Sequence, residues 1–152
     1  MSDHYLKPQT ILVVDDNEDD YEAITRAFKK VGLANPVSLC TSGQTAMDFL
    51  KHEGSFKQTD KADRPVLIML DLNMPGMDGF QVLQRIRQDA ALRQIPVVIW
   101  TTSSNEKDVD VCYQMGANAY MQKPVIFDDL VESVRHLKEY WFETALLPDR
   151  GG

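Results

Sequence analysis

Acidic, hydroxyl and ammonium side chains close four separate apolar runs in this chain, and gathered together they have the chemistry to hold a divalent metal and a phosphate. Asp15 and Asp16 follow Thr10-Ile-Leu-Val-Val, Asp71 follows Val66-Leu-Ile-Met-Leu, Thr101 follows Pro96-Val-Val-Ile-Trp, and Lys123 follows Ala119-Tyr-Met-Gln. An Asp after a strand is also an ordinary turn former or helix cap, and for a single carboxylate that plainer reading wins. The same holds for Lys123 as a solvated lysine and for Thr101 as a β-branched strand residue. Five reactive groups at the ends of four predicted strands make coincidence a poor account of the set.

The elements that must position these groups alternate along the chain. Short Val/Ile/Leu runs at 10–14, 36–40, 66–70, 97–101 and 119–121 read as strands of a buried parallel sheet. Between them, apolar residues recur at helical spacing over 18–31, 43–50, 80–89, 108–115 and 127–142. In the first of these, Tyr21, Ile24, Ala27, Phe28 and Val31 share a face and Gly32 supplies a terminator, while Ser42 and Asn105 are candidate caps of later helices. Alternation of this kind predicts an α/β layered fold with helices on both faces. Sites in such sheets lie beyond the carboxyl ends of the strands, where all five groups fall.

With 152 residues the chain has room for one domain and one substantial core. A formal net charge of −7, from 23 acidic and 16 basic residues, argues against the basic stripe that nucleic-acid binding requires. The sequence contains no apolar run long enough to span a bilayer, and Met1-Ser-Asp-His-Tyr-Leu-Lys-Pro is unlike a secretory signal, so the expectation is a soluble, cytoplasmic protein with no membrane association. Cys40 and Cys112 read as reduced packing thiols, and His4, His52 and His136 sit in no metal-like spacing. An EF-hand reading of Asp71-Leu-Asn-Met-Pro-Gly fails, because Pro75 stands where an oxygen ligand is needed and Val82 where the final glutamate belongs. Glu18, Asp19 and Asp20 are read as a solvated acidic helix start favoured by the macrodipole.

At Asp15-Asp16, Asp71-Leu-Asn-Met-Pro-Gly-Met-Asp-Gly79, Thr101 and Lys123-Pro124 the chain resembles the receiver domain of two-component response regulators. The likeness covers residues 9–140, and the intervals of 30 residues from Asp71 to Thr101 and 22 from Thr101 to Lys123 suit that family together. It implies a flavodoxin-like, doubly wound five-stranded parallel sheet of order 2-1-3-4-5 with five helices, an order the periodicity alone leaves open. It further implies Mg2+ bound by Asp16 and Asp71 directly, by Asn73 through its backbone carbonyl and by Asp15 mostly through water. Asp71 is then the phosphoacceptor, attacking a phosphohistidine on a sensor histidine kinase. Such a protein is not an enzyme toward other molecules and catalyses only its own phosphoryl transfer and dephosphorylation. A cation is physically needed, since two carboxylates about 4 Å apart repel by about 4 kcal/mol at an effective dielectric near 20. Magnesium accepts hard oxygen ligands and keeps open positions for a phosphoryl oxygen.

By the same resemblance Lys123 pairs with the phosphate, Thr101 donates its hydroxyl to it and draws the following loop inward, and Tyr120 follows as a switch by moving between buried and exposed positions, the alternative being an aromatic packed permanently against the last helix. A cis Lys123–Pro124 bond is expected to aim the ammonium. The chain departs from common receivers at Thr102, where a smaller residue usually leaves phosphate access open, so transfer is expected to be slowed. Neither Asn73 nor Ser103 supplies a general base, which predicts slow autodephosphorylation. The polar stretch 53–64 is expected to be a mobile surface loop.

Near the C-terminus, Phe127, Leu130, Val134, Leu137 and Trp141 form one docking stripe, while Tyr140, Phe142, Leu146 and Leu147 offer more apolar surface than one helix face can bury. Glu139-Tyr-Trp-Phe-Glu-Thr-Ala-Leu-Leu-Pro148 is similar to the tail of stand-alone receivers partnered with bacterial phytochrome kinases. That likeness implies a phytochrome-type kinase as partner and a homodimer across the fourth and fifth helices and fifth strand, with Tyr140, Trp141 and Phe142 at the contact. The expected organisation is an N-terminal arm at 1–8, a receiver domain at 9–142 and a tail at 143–152 without an output domain. The competing readings are a pseudo-receiver that binds partners without phosphorylation and, more remotely, a dehalogenase-like phosphatase. The latter needs a second acid two residues after its nucleophile, where this chain has Asn73.

Overall fold

A computed structural model describes residues 9–56, 64–145 and 147–148. The 1–8 arm, most of the polar 53–64 stretch, Leu146 and the last four residues of the tail lie outside the described residues. The elements run in the expected order: β1 (Ile11–Val14), α1 (Glu18–Lys30), β2 (Val37–Cys40), α2 (Gly43–Lys51), β3 (Leu67–Leu70), α3 (Gly79–Gln88), β4 (Val97–Thr101), α4 (Glu106–Gln114), β5 (Ala119–Gln122) and α5 (Phe127–Lys138). All strand pairs are parallel and the sheet order is β2-β1-β3-β4-β5, the order the family likeness implies.

Every residue of β1, β3 and β4 is buried, which is why these strands read as continuous apolar runs rather than as alternating ones. Alternate side chains feed two cores. Leu12, Val14, Ile68, Leu70, Val97 and Ile99 pack with α2, α3 and Cys112 of α4. Ile11, Val13, Leu67, Met69, Val98 and Trp100 pack with α1 and α5. Burial pushes the Cys40 thiol up to about 12 and the Cys112 thiol to about 11, in keeping with two inert packing residues.

Helix ends are set by local chemistry. Ser42 and Asn105 cap α2 and α4 as expected. Two caps lay unread in the sequence: Asn17 accepts from Asp20 N–H at the start of α1, and Asp78 with Gln81 forms a reciprocal capping box that starts α3 one residue early, at Gly79. Gly32, with φ +76°, ends α1 with the paired bonds Gly32 N–H to Lys29 O and Leu33 N–H to Phe28 O. At Gly79 the requirement is space, because a Cβ there would collide with the Asp71 carbonyl and lie 2.7 Å from Leu72 Cα. The start of α3 thus presses directly on the loop that carries Asp71.

Three expectations are corrected. The final helix does not run unbroken to 142. It passes at Glu139 into a π-helical turn, Glu139–Thr144, closed by Ala145 N–H on Tyr140 O at 2.7 Å. The wider turn lets the consecutive residues Trp141 and Phe142 both pack on the α1–α5 core, with Leu147 beside them, so less of the tail is exposed than helical spacing suggests. Tyr140 remains 55% exposed. Second, the start of the polar loop is ordered, since Gly54–Phe56 forms a 3-10 turn with Phe56 edge-on to Phe49 at 5.2 Å. Third, the Lys123–Pro124 bond is not cis, as no described peptide bond is.

Candidate functional site

The reversal of strand order falls between β1 and β3, and their ends are level: Val14 pairs with Leu70, so Asp15 and Asp71 are the next residues on adjacent strands. The ladder continues past the strands, with Asp71 N–H on Val14 O and Asp15 N–H on Cys40 O, both at 3.0 Å. Backbone pairing therefore delivers two carboxylates side by side before any side-chain contact is made. Asp15 is fully buried, Asp71 is 5% exposed and Asp16 is exposed. One carboxylate oxygen from each lies within 4.8 Å of the others.

Lys123 enters from the end of β5, where its N–H bonds Thr101 O at 2.7 Å. Its Nζ lies 2.7 Å from Asp15 Oδ2, 2.8 Å from Asp20 Oδ2 and 3.1 Å from Asp71 Oδ2. The flexible stem makes this reach with a trans peptide, so the ammonium needs no cis bond to aim it. Burial opposes the charge on Lys123, yet the hydrogen bonds to Asp15 and Asp20 and the charges of Asp15 and Asp71 outweigh it and hold the ammonium above the usual lysine range. The Asp15 carboxyl is raised as well: burial chiefly, and the neighbouring Asp71, outweigh Lys123 and the Asn17 N–H bond and hold it above its ordinary range. Four carboxylates and one ammonium carry a formal −3.

One buried polar atom shows what the site lacks: Thr101 Oγ1 has no hydrogen-bond partner, whereas Asp15 Oδ2 is met by the Lys123 ammonium at 2.7 Å. A hard divalent cation fits the all-oxygen donor set of Asp15, Asp16 and Asp71, and an anionic oxygen fits Thr101. Asn73 is exposed and its N–H reaches Asp71 Oδ1 at 3.4 Å, a long contact. The structure thus brings Asp15, Asp16, Asp71 and Lys123 together, with Asn73 on the adjoining loop and Thr101 on the neighbouring strand.

Asp20 belongs to the same cluster, and the reading of it as a solvated helix start is wrong. On the first turn of α1, its carboxylate faces back over the strand end onto Lys123. The signal was its place on the first turn of a helix that starts at the site. Glu18 and Asp19 make no ion pair among the described residues and fit the solvated reading.

Tyr120 is half-buried on the α2–α3–α4 side of the sheet, not against α5, and its hydroxyl donates to Ser103 O at 3.0 Å. Gln122 Nε2 reaches Thr102 O at 3.3 Å, and Ser103 Oγ donates to Asp108 Oδ2 at 2.8 Å. The loop after Thr101 is therefore tied to both β5 and α4.

The doubly wound sheet thus carries an acid triad, a hydroxyl and a lysine at the carboxyl ends of its strands. The chain belongs to the response regulator receiver domain family, which matches residues 11–135. It is similar to the response regulator Rcp1 of Synechocystis sp., with 37% identity covering 97% of this chain and 99% of that protein. The crystal structure of the phosphorylated cyanobacterial phytochrome response regulator RcpA superposes with a TM-score of 0.85 at 36% identity, covering 93% of this chain and 99% of that one. A Mn2+-bound form of Rcp1 gives 0.84 at 37%, covering 93% and 100%.

Removing one partner from a buried ion pair strands the other, so Lys123→Met is expected to cost about 3 kcal/mol in metal-free urea unfolding, and Asp15→Asn in the same background to restore much of it. Additive effects of the two substitutions would contradict the coupling.

Proposed function

We propose that the protein is a single-domain response regulator that accepts a phosphoryl group on Asp71 in a magnesium-dependent reaction and passes the signal on by a change of conformation. The observation that carries this reading is the buried contact of Asp71 with Lys123 beside a triad of carboxylates able to share a cation. One Asp71 carboxylate oxygen attacks phosphorus as the bond from phosphorus to the donor's histidine nitrogen breaks, and the leaving imidazole takes its proton from water. Magnesium, held by Asp16 and Asp71, by the Asn73 carbonyl and by Asp15 through water, would offset charge as the phosphoryl group arrives. Lys123 turns a donor toward one phosphoryl oxygen, and the unpartnered Thr101 hydroxyl gains an acceptor in another. Movement of Thr101 is passed to Tyr120 through the Ser103 carbonyl that its hydroxyl holds.

Slow loss of phosphate is expected, because the Ser103 hydroxyl is engaged by Asp108 and Asn73 is not a base. Thr102 is exposed, and its side chain, larger than usual after Thr101, is expected to slow transfer. We take the donor to be a phytochrome-type sensor histidine kinase in the cytoplasm, a reading supported by the relationship to RcpA and Rcp1. Tyr140, exposed just past α5 with the half-buried Trp141 and Phe142 beside it, joins the exposed Tyr113, Val125 and Ile126 as apolar surface for a homodimer on the α4–β5–α5 side.

Incubation with magnesium and a small acyl phosphate is expected to add one phosphoryl group by intact mass, persisting over time without a phosphatase, and to add none in Asp71→Asn. An unchanged wild-type mass under varied donors would instead support a pseudo-receiver. Sedimentation is expected to show dimers that dissociate in Tyr140→Glu and in a chain ending at Lys138. Dimers unchanged by both would exclude the tail from the interface.

A further inference from the structure

The mechanism above leaves Asp20 without a role, although its carboxylate lies closer to the Lys123 ammonium than that of the phosphoacceptor: 2.8 Å against 3.1 Å. An ammonium has three N–H donors, and three carboxylates compete for them within 3.1 Å. A phosphoryl group on Asp71 needs one of those donors, so one carboxylate must let go. Asp15 is enclosed, with a side chain 0% exposed, and Asp71 is 8% exposed and carries the phosphate. Asp20 is 37% exposed and stands on the first turn of a helix, where water and the amino-terminal dipole stabilise a released carboxylate. Its backbone is fixed meanwhile by the Asn17 side chain, which accepts Asp20 N–H at 3.1 Å. The side chain can leave without the helix moving.

We propose that Asp20 is a positioning residue that holds Lys123 in the unphosphorylated protein and competes with the incoming phosphoryl group for its ammonium, so that Asp20 sets the ease with which Asp71 accepts phosphate. The inference rests on the phosphoacceptor reading of Asp71. It also predicts opposite effects on two measurable quantities. Removing the Asp20 charge frees Lys123 for an arriving anion and lowers repulsion at the mouth of the pocket, which speeds transfer. It also lets Lys123 pair more closely with Asp15 and Asp71, which weakens their hold on a cation.

The test compares wild type, Asp20→Asn and Asp19→Asn. The last removes the same charge from the same turn at a residue that makes no ion pair with Lys123. At saturating magnesium, phosphorylation by a small acyl phosphate, followed by intact mass, is expected to be about fivefold faster in Asp20→Asn. Calorimetric titration of the unphosphorylated proteins is expected to show magnesium binding roughly threefold weaker in the same variant. Asp19→Asn should change neither by as much as about twofold. A rate in Asp20→Asn that is unchanged or lower overturns the proposal, as does an equal effect of Asp19→Asn. If the wild type takes no phosphoryl group, the phosphoacceptor reading falls and this inference with it. If the wild type is phosphorylated and Asp20→Asn behaves identically, the inference alone falls.

Discussion

Negative charge at the ends of β1 and β3 is the constraint around which this molecule is arranged. Parallel pairing in register forces Asp15 and Asp71 together, and burial takes away the water that would otherwise screen them. The cost is met in part by Lys123, which the sheet brings from its far edge. Burial chiefly, with Asp71 adding to it, holds the Asp15 carboxyl above its ordinary range, and the buried Thr101 hydroxyl has no partner. A hard cation would fit the carboxylate oxygens and an anionic oxygen the Thr101 hydroxyl.

The opposite end of the sheet is built differently. There the Arg87 guanidinium bonds Gly116 O, Ile95 O, Arg93 O and Asn118 Oδ1 at 2.8–3.0 Å, tying α3 to the loops that lead into β4 and β5. Neutral carbonyl oxygens there take up its N–H donors. At the site end, loops are held by fewer and more exchangeable bonds: Tyr120 on the Ser103 carbonyl, Gln122 on the Thr102 carbonyl, Ser103 on Asp108. The Thr101 carbonyl, at the start of this loop, receives the Lys123 N–H.

What the sequence disclosed follows from which forces are local. Buried parallel strands need apolar residues on both faces, so β1, β3 and β4 could be read directly, as could the residues immediately past their ends. The order of the strands could not, since crossover direction is decided by how helices share the two faces, and it entered only through family likeness. Caps at Asn17 and Asp78 were present as short patterns but are too common in sequence to stand out. Asp20 was missed because its role depends on where α1 points after leaving the site, a tertiary fact. Similarly, the π-helical turn at Glu139–Thr144 arises because Trp141, Phe142 and Leu147 together gain more burial on α1 and α5 than a regular helix would give them.

The central claim is that the carboxylates of Asp15, Asp16 and Asp71 are assembled at a cost that a bound divalent cation relieves. Urea unfolding across a magnesium titration measures this directly, since a ligand bound only by the folded state stabilises it by about 2.7 kcal/mol at one hundred times its dissociation constant. The account predicts a midpoint that climbs with magnesium in the wild type and stays flat in the doubly substituted Asp16→Asn, Asp71→Asn chain. A wild-type midpoint indifferent to magnesium, or an equal rise in both proteins, would contradict it.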